Sequence, residues 1–429
     1  MRAWTKEELA PGEALARRLF ETLARETADA PGVTRVGFGE GERFAHDLLI
    51  GEAKARGFEV AHDAAGNLFL TQPGQDRSGT LYIGSHVDTV PHGGNYDGAA
   101  GVIAGLAAQA IFHAAGVKPP FDITVLALRA EESCWFPHSY IGSKTVLGIF
   151  DGKLLDVLKR SDNGRTLADH MREGGFDPEA VRRGESRIER KRAVAYIEPH
   201  IEQAPVLVFE NLPVGIVTGI RGSFRYRTAK CVGAYAHSGA MPREYRHDAA
   251  AATGELILRM DDLWAKMLAE GKDLTVTFGE VMTNPEQHGF SKVAGEMHIC
   301  LDVRSQDKGT LESVRGQLLA IAEDIAERRQ VRFDFGELSG STPAVMSKPL
   351  QDMMGEAAKR AGVPHRVMAS GAGHDAATFA LEGIPTAMIF IRNQNGSHNP
   401  DEAMDMADFD QALAVLVHML SMPAARWRA

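Results

Sequence analysis

Six residues have the types that bind divalent cations and move protons: His86, Asp97, Glu131, Glu132, His200 and His398. Each stands where an apolar run gives way to a polar cluster. His86 and Asp97 are eleven positions apart in GSHVDTVPHGGNYDGAAGV, joined by a loop whose glycines let both side chains turn back to one point. Asp88, two residues past His86, could accept the second imidazole N–H and fix the tautomer of a ring that binds metal. Taken alone, the stretch also reads as an ordinary βα turn in which Gly93, Gly94 and Gly98 serve the bend and the acids cap a helix. Collected along the chain, the six fit a two-ion site, which needs a bridging carboxylate, a His and a further ligand for each ion, and open positions for water and substrate. Asp97 is then the bridge, His86 and His200 complete one site, and Glu132 and His398 the other. Glu131 is left over. A carboxylate beside the ligands but not among them can take a proton from attacking water and pass it to a leaving nitrogen. Singly, adjacent acids are solvated helix starts and a lone histidine is a core or surface residue. Those readings would all have to hold together at four strand ends.

The elements that must position these residues are four apolar runs: Thr80 to Ser85, Ile123 to Leu128, AVAYIEPHI and IPTAMIFI. Continuous apolar runs of this length mark strands buried on both faces of a parallel sheet, and open α/β sheets place their sites at the C-terminal ends of such strands. Helices are expected at Lys6 to about Asp29, Glu42 to Arg56, 349–361, 375–382 and 408–420, with a hairpin turning at Gly66-Asn67 and a charged helical region from Gly152 to about Arg190. Between Pro213 and Leu338 the texture changes to alternating strands and two amphipathic helices, an α+β pattern of the split β-α-β kind. The expected architecture is an α/β catalytic domain, its mixed and mostly parallel sheet covered by helices on both faces, formed by residues 1–212 and 339–429. Residues 213–338 form an inserted α+β domain.

With 429 residues, 44% hydrophobic and 24% charged, two globular domains are the natural expectation. A formal net charge of −10 argues against a nucleic-acid partner. The opening MRAWTKEELAPGE has charges where a secretory signal needs an apolar core, and no later run reaches membrane-spanning length, so a cytoplasmic location and no membrane partner are expected. Three widely spaced cysteines, Cys134, Cys231 and Cys300, leave metal binding to His and carboxylates.

The chain resembles the di-zinc aminoacylase/carboxypeptidase superfamily, and within it the hydantoinase/carbamoylase branch of N-carbamoyl-L-amino-acid hydrolases, allantoate amidohydrolases and β-ureidopropionases. The resemblance rests on GSHVDTVPHGGNYDGAAGV, RAEES with Gly142-Ser143, YIEPHIEQAPVL, GAYAHSGAMPREYRHDA, LDVRS, SGAGHDA and GSHNPDE, and spans nearly the whole chain. It implies a metal-dependent amidohydrolase acting on linear amide C–N bonds other than peptide bonds, of which an N-carbamoyl (ureido) group on a small carboxylate-bearing molecule is the leading case. Two divalent ions per subunit are implied, Zn first, with Mn, Co or Ni also suited. It further implies a homodimer formed through the inserted domain, acting as a lid, with His237 of one subunit polarising the scissile carbonyl in the other. Gln203, Arg304, Ser291 and Gly371 would contact substrate, Arg304 by gripping a carboxylate. Ser291 stands where many relatives carry Asn, and Ala204 where Gly is usual after HIEQ, which bears on substrate identity. An aminoacylase or dipeptidase of the same superfamily, or a non-catalytic metal-binding homologue, are the alternatives; Glu131 speaks against the second.

Overall fold

A computed structural model describes residues 2–428. Contacts divide the chain into one unit that runs to Thr218 and resumes at Val345, and a second from Gly219 to Ala344. The expected cuts at 213 and 338 fall six residues earlier. Val214–Ile220 pairs with Thr386–Ile391 in the large sheet, and Leu338–Ser341 pairs with Gly222–Val232 in the small one.

The first unit is built on a nine-stranded sheet. Its centre is four parallel strands in the order Phe121–Leu128, Asp76–His86, Ala193–Ile201, Thr386–Ile391. These are the four apolar runs, and Phe121–Leu128 and Thr386–Ile391 are buried at every residue. Antiparallel strands flank them, among them the expected hairpin Glu59–His62 with Leu68–Gln72. Pairing sets His86 beside Leu128 and His200 beside Phe390, so the strand ends that carry the candidate residues are level.

The helix Ala99–Ala114, which follows the His86 loop, is apolar on every side, and all but its last two residues are buried. It seats closely on the sheet because Gly101 has no side chain; a Cβ there would overlap the Pro199 carbonyl. Helices Lys6–Glu26 and Met406–Leu420 share the core with it. The expected charged helical region from Gly152 to about Arg190 is helical in short pieces. It is a 3-10 turn and two short helices, Leu167–Glu173 and Pro178–Arg182, begun by side-chain caps from Thr166 and Asp177 that restart the chain each time.

In the second unit the strand Glu296–Ser305 alternates between buried and half-buried residues, the period of a sheet covered on one face. Helices Ala249–Ala269 and Lys308–Arg329, capped by Asp248 and Asp307, cover that face with Leu256, Met260, Leu263, Val314 and Leu318. All its strand pairs are antiparallel, with Thr275–Thr283 at one edge. Among the described residues no helix is long and apolar enough to cross a membrane.

Candidate functional site

At the level ends of the parallel strands, two groups of three side chains offer ligand atoms within 4.8 Å of one another: His86, Asp97 and His200, and Asp97, Glu132 and His398. Asp97 belongs to both, one oxygen to each. Its Oδ1 lies 3.8 Å from His86 Nε2 and 3.2 Å from His200 Nε2, while its Oδ2 lies 3.2 Å from His398 Nε2, which is also 3.2 Å from Glu132 Oε1. A third group, Glu198, His200 and His374, is equally tight, but both Glu198 oxygens are engaged, by the Ser85 hydroxyl at 2.7 Å and the Ala376 N–H at 2.6 Å. His374 Nε2 is likewise held 3.0 Å from Ser370 Oγ.

Backbone carbonyls orient the two buried imidazoles. Nδ1 of His200 is 2.9 Å from the Ile201 carbonyl, and Nδ1 of His86 is 3.0 Å from that of Asp88, which turns each Nε2 toward Asp97. The Asp88 carboxylate, expected to do this for His86, stands farther off, at 3.4 Å. Its two oxygens also accept the N–H groups of Glu131 and Glu132, both at 3.2 Å, so Asp88 holds the segment that carries both acids. Glu131 Oε2 is 3.9 Å from His86 Nε2 and belongs to neither ligand group.

A cation fits this donor set. His398 is raised to about 10 through its hydrogen bonds to Asp97 and Glu132. His86 is held well above the usual histidine range despite its burial, by Asp88, Glu131 and Asp97. Burial, against the opposing charge of His86, and then Glu132 and Asp375 push Glu131 well above the usual carboxylate range. The carboxylates thus draw positive charge onto whatever faces them, here protons on imidazoles. Space is reserved as well: Gly98 has φ +64, and a side chain there would run into His86 Nε2.

Several supports were not legible in the sequence. Arg35 is fully buried and spans the loop between His86 and Asp97: its Nε donates to the Val87 carbonyl at 2.5 Å, Nη1 to Asn95 Oδ1 at 2.9 Å and Nη2 to the Asn95 carbonyl at 3.2 Å. Glu402 accepts the N–H groups of Tyr96 and Asp97, and Ser397 Oγ lies 2.7 Å from Asp97 Oδ2 and 2.6 Å from Glu402 Oε2. Ala130, Gln203 and His398, three residues with side chains, take positive φ, a strain typical of functional sites.

Of the expected substrate contacts, Gln203 lies at the centre: its Nε2 donates to Asp97 Oδ2 at 2.8 Å, and its buried Oε1 has no partner among the described residues. Gly371 opens the loop whose Ala372, Gly373 and His374 line a cavity of about 160 Å³ together with Glu131, Tyr140 and Gln203. His237, Ser291 and Arg304 belong to the second unit. His237 pairs with Lys292, next to Ser291, in a two-stranded ribbon. Its Nδ1 accepts the N–H groups of Gly239 and Ala240, both at 3.2 Å, which leaves the proton on the exposed Nε2. Arg304 Nε and Nη2 donate to Asp302 Oδ2 at 3.0 and 2.8 Å.

The profile of Peptidase family M20/M25/M40 matches residues 82–422. An N-carbamoyl-L-amino acid amidohydrolase of Geobacillus stearothermophilus is 33% identical over 412 residues, 95% of this chain and 97% of that protein. An allantoate amidohydrolase of Escherichia coli is 32% identical over 370 residues, covering 85% of this chain and 87% of the relative. Among solved structures, a hydantoinase/carbamoylase family amidase from Burkholderia multivorans superposes with a TM-score of 0.84 at 28% identity, covering 96% of this chain and 98% of the other.

Proposed function

The chain belongs to peptidase family M20/M25/M40, and from that premise we propose that it is a metal-dependent amidohydrolase that cleaves the N-carbamoyl (ureido) C–N bond of a small carboxylate-bearing substrate such as an N-carbamoyl-L-amino acid. The observation that carries the reading is the pair of ligand groups joined at Asp97, with Glu131 beside them and in neither. Two divalent ions per subunit, zinc first, would be held by His86, Asp97 and His200 and by Asp97, Glu132 and His398. When bound, such ions supply Lewis acidity toward the scissile carbonyl and acidify water. Glu131 takes the proton of the attacking water and returns it to the departing nitrogen. Asp88 fixes the backbone of Glu131 and Glu132 so that the base and a ligand keep their spacing. Gln203, Ser291, Gly371 and Arg304 receive the substrate, with Arg304, already oriented by Asp302, meeting its carboxylate.

Release assays on metal-reconstituted enzyme, reading ammonia and free amine across N-carbamoyl, N-formyl and N-acyl amino acids and ureido acids, test this. Equal amounts of ammonia and amine from an N-carbamoyl acid are expected. Turnover confined to N-acyl acids or dipeptides would overturn the substrate class.

His237 supplies the remaining contact. With its proton fixed on Nε2 it is a donor, and a donor aimed at the developing oxyanion is commonly worth ~2.7–4 kcal/mol. We assign it to the site of a second subunit, in a homodimer formed by the inserted unit. That unit leaves an edge strand, Thr275–Thr283, with exposed Val281 and Met282, and keeps Leu258, Leu268 and Phe290 in solvent. Mixing inactive His237→Ala and Glu131→Gln chains should restore up to about a quarter of wild-type activity, since half the dimers are hybrid and each hybrid has one intact site of two. No recovery with heterodimers present would place His237 in its own subunit's site or outside catalysis.

A further inference from the structure

A second cavity is larger than the one at the strand ends. A cavity of about 660 Å³ lies between the first turn of helix Glu40–Ala55 and the segment from Arg160 to Phe176, within the size range of small-molecule sites. Arg43, His46, Arg129, Arg160, Arg165 and His170 line it. Four of these, His46, Arg129, Arg160 and His170, are at least nine-tenths buried. Arg129 Nη2 donates to His46 Nδ1 at 3.2 Å, so His46 carries its proton on Nε2. That Nε2 is buried without a hydrogen-bond partner among the described residues, an unmet donor on a residue that lines the cavity.

The helix beside it begins at Gly39 with no side-chain cap, so its partial positive end adds to the same field. The histidines register that field. His46 is driven well below the usual range by burial and then by Arg129; His170 is lowered by burial and then by Arg160 and Arg165; His62, also in the wall, by burial and then by Arg129. Phe38 and Phe176 flank the Arg129 guanidinium at 5.3 and 5.1 Å from their ring centres and keep it in place. The acids that share the wall, Glu40, Asp47 and Glu173, are exposed, Glu40 and Glu173 are paired with Arg43 and Arg165, and behind the wall Glu42 pairs with Arg129 and Asp162 with Arg160. Guanidinium groups held by these pairs, an unmet N–H and an uncapped helix end present donors to a ligand that accepts hydrogen bonds and can exchange with the paired carboxylates.

We infer that this cavity is a second ligand site, distinct from the metal centre, for a small oxyanion bearing carboxylate or phosphate. Its floor is joined to the catalytic segment. The Glu42 carboxylate that pairs with Arg129 also accepts the N–H of Ala130, the strained residue immediately before Glu131. An anion on Arg129 therefore competes with the group that holds Ala130, and occupancy alters turnover. Binding itself stands whether or not Glu131 is the base.

Calorimetry on the metal-loaded protein, with succinate in one arm and inorganic phosphate in the other at constant ionic strength, tests it. Wild type should bind one equivalent that Arg160→Gln and Arg165→Gln each weaken about tenfold or more, the worth of a charged hydrogen bond. Binding at the metal centre is common to all three proteins and drops out of the comparison. Arg165 is at the exposed rim, so Arg165→Gln keeps fold and ligand-free turnover, and it decides the matter should Arg160→Gln not fold. A response to succinate alone or phosphate alone supports the site and names its anion. Identical isotherms for wild type and Arg165→Gln overturn it.

Discussion

Glu131→Gln is expected to lower kcat by ~10²–10⁴-fold with fold and metal content intact, the usual worth of a general acid/base. Glutamine keeps the shape of the side chain and cannot take a proton. The backbone N–H of Glu131 remains on Asp88 whatever the side chain, and neither ligand group includes Glu131, so the substitution should disturb neither the segment nor the metal. Steady-state kinetics on reconstituted enzyme, with elemental analysis of the same sample, separates the two effects. A near-normal kcat would remove Glu131 from the mechanism, and lost metal would make it a ligand.

Asp97→Ala should be the most damaging change to metal retention. One carboxylate oxygen faces His86 and His200 and the other faces His398, so a single truncation strips a ligand from both groups. The loss should exceed the roughly 10–100-fold that removing a merely supporting residue costs, and activity should fall with it. His398→Ala touches one group only and should leave about one ion per chain. Metal content after reconstitution and desalting reads both variants. A wild type that keeps one ion, unaffected by His398→Ala, would sink the two-ion reading.

The parallel core was legible because burial on both faces leaves an unbroken apolar run, and each of the four runs stops where the strand does. That level edge is also why His86, Glu131, Glu132, His200 and His398 stand out in the sequence: each lies just at or beyond a run that a sheet must align. Arg35 carries no such mark. It is one cation in the glycine-rich stretch PGVTRVGFGE, and its value comes from burial beneath a loop far along the chain. Ser397 and Glu402 lie in the GSHNPDE motif, but their role was hidden, since nothing in that spacing shows a hydroxyl placed between two carboxylates. Spacing showed that the Asp88 carboxylate can reach the His86 imidazole, which it does at 3.4 Å, but not that the amides of Glu131 and Glu132 lie closer to it. The region from Gly152 to Arg190 is helical as its sequence reads, in short pieces begun by Thr166 and Asp177.

Arg35 also bears on where the protein can be cut. The family match starts at residue 82, and from there to 422 the chain holds every candidate ligand and Glu131. The guanidinium that ties Val87 to Asn95, and the Glu42 carboxylate beneath Ala130, both come from the segment before it. A chain truncated to the matched span would keep the chemistry on paper and release the loop that shapes it. Deletion mapping and point substitution should therefore disagree about where activity resides, with deletions assigning it to an N-terminal stretch that contributes no reacting atom.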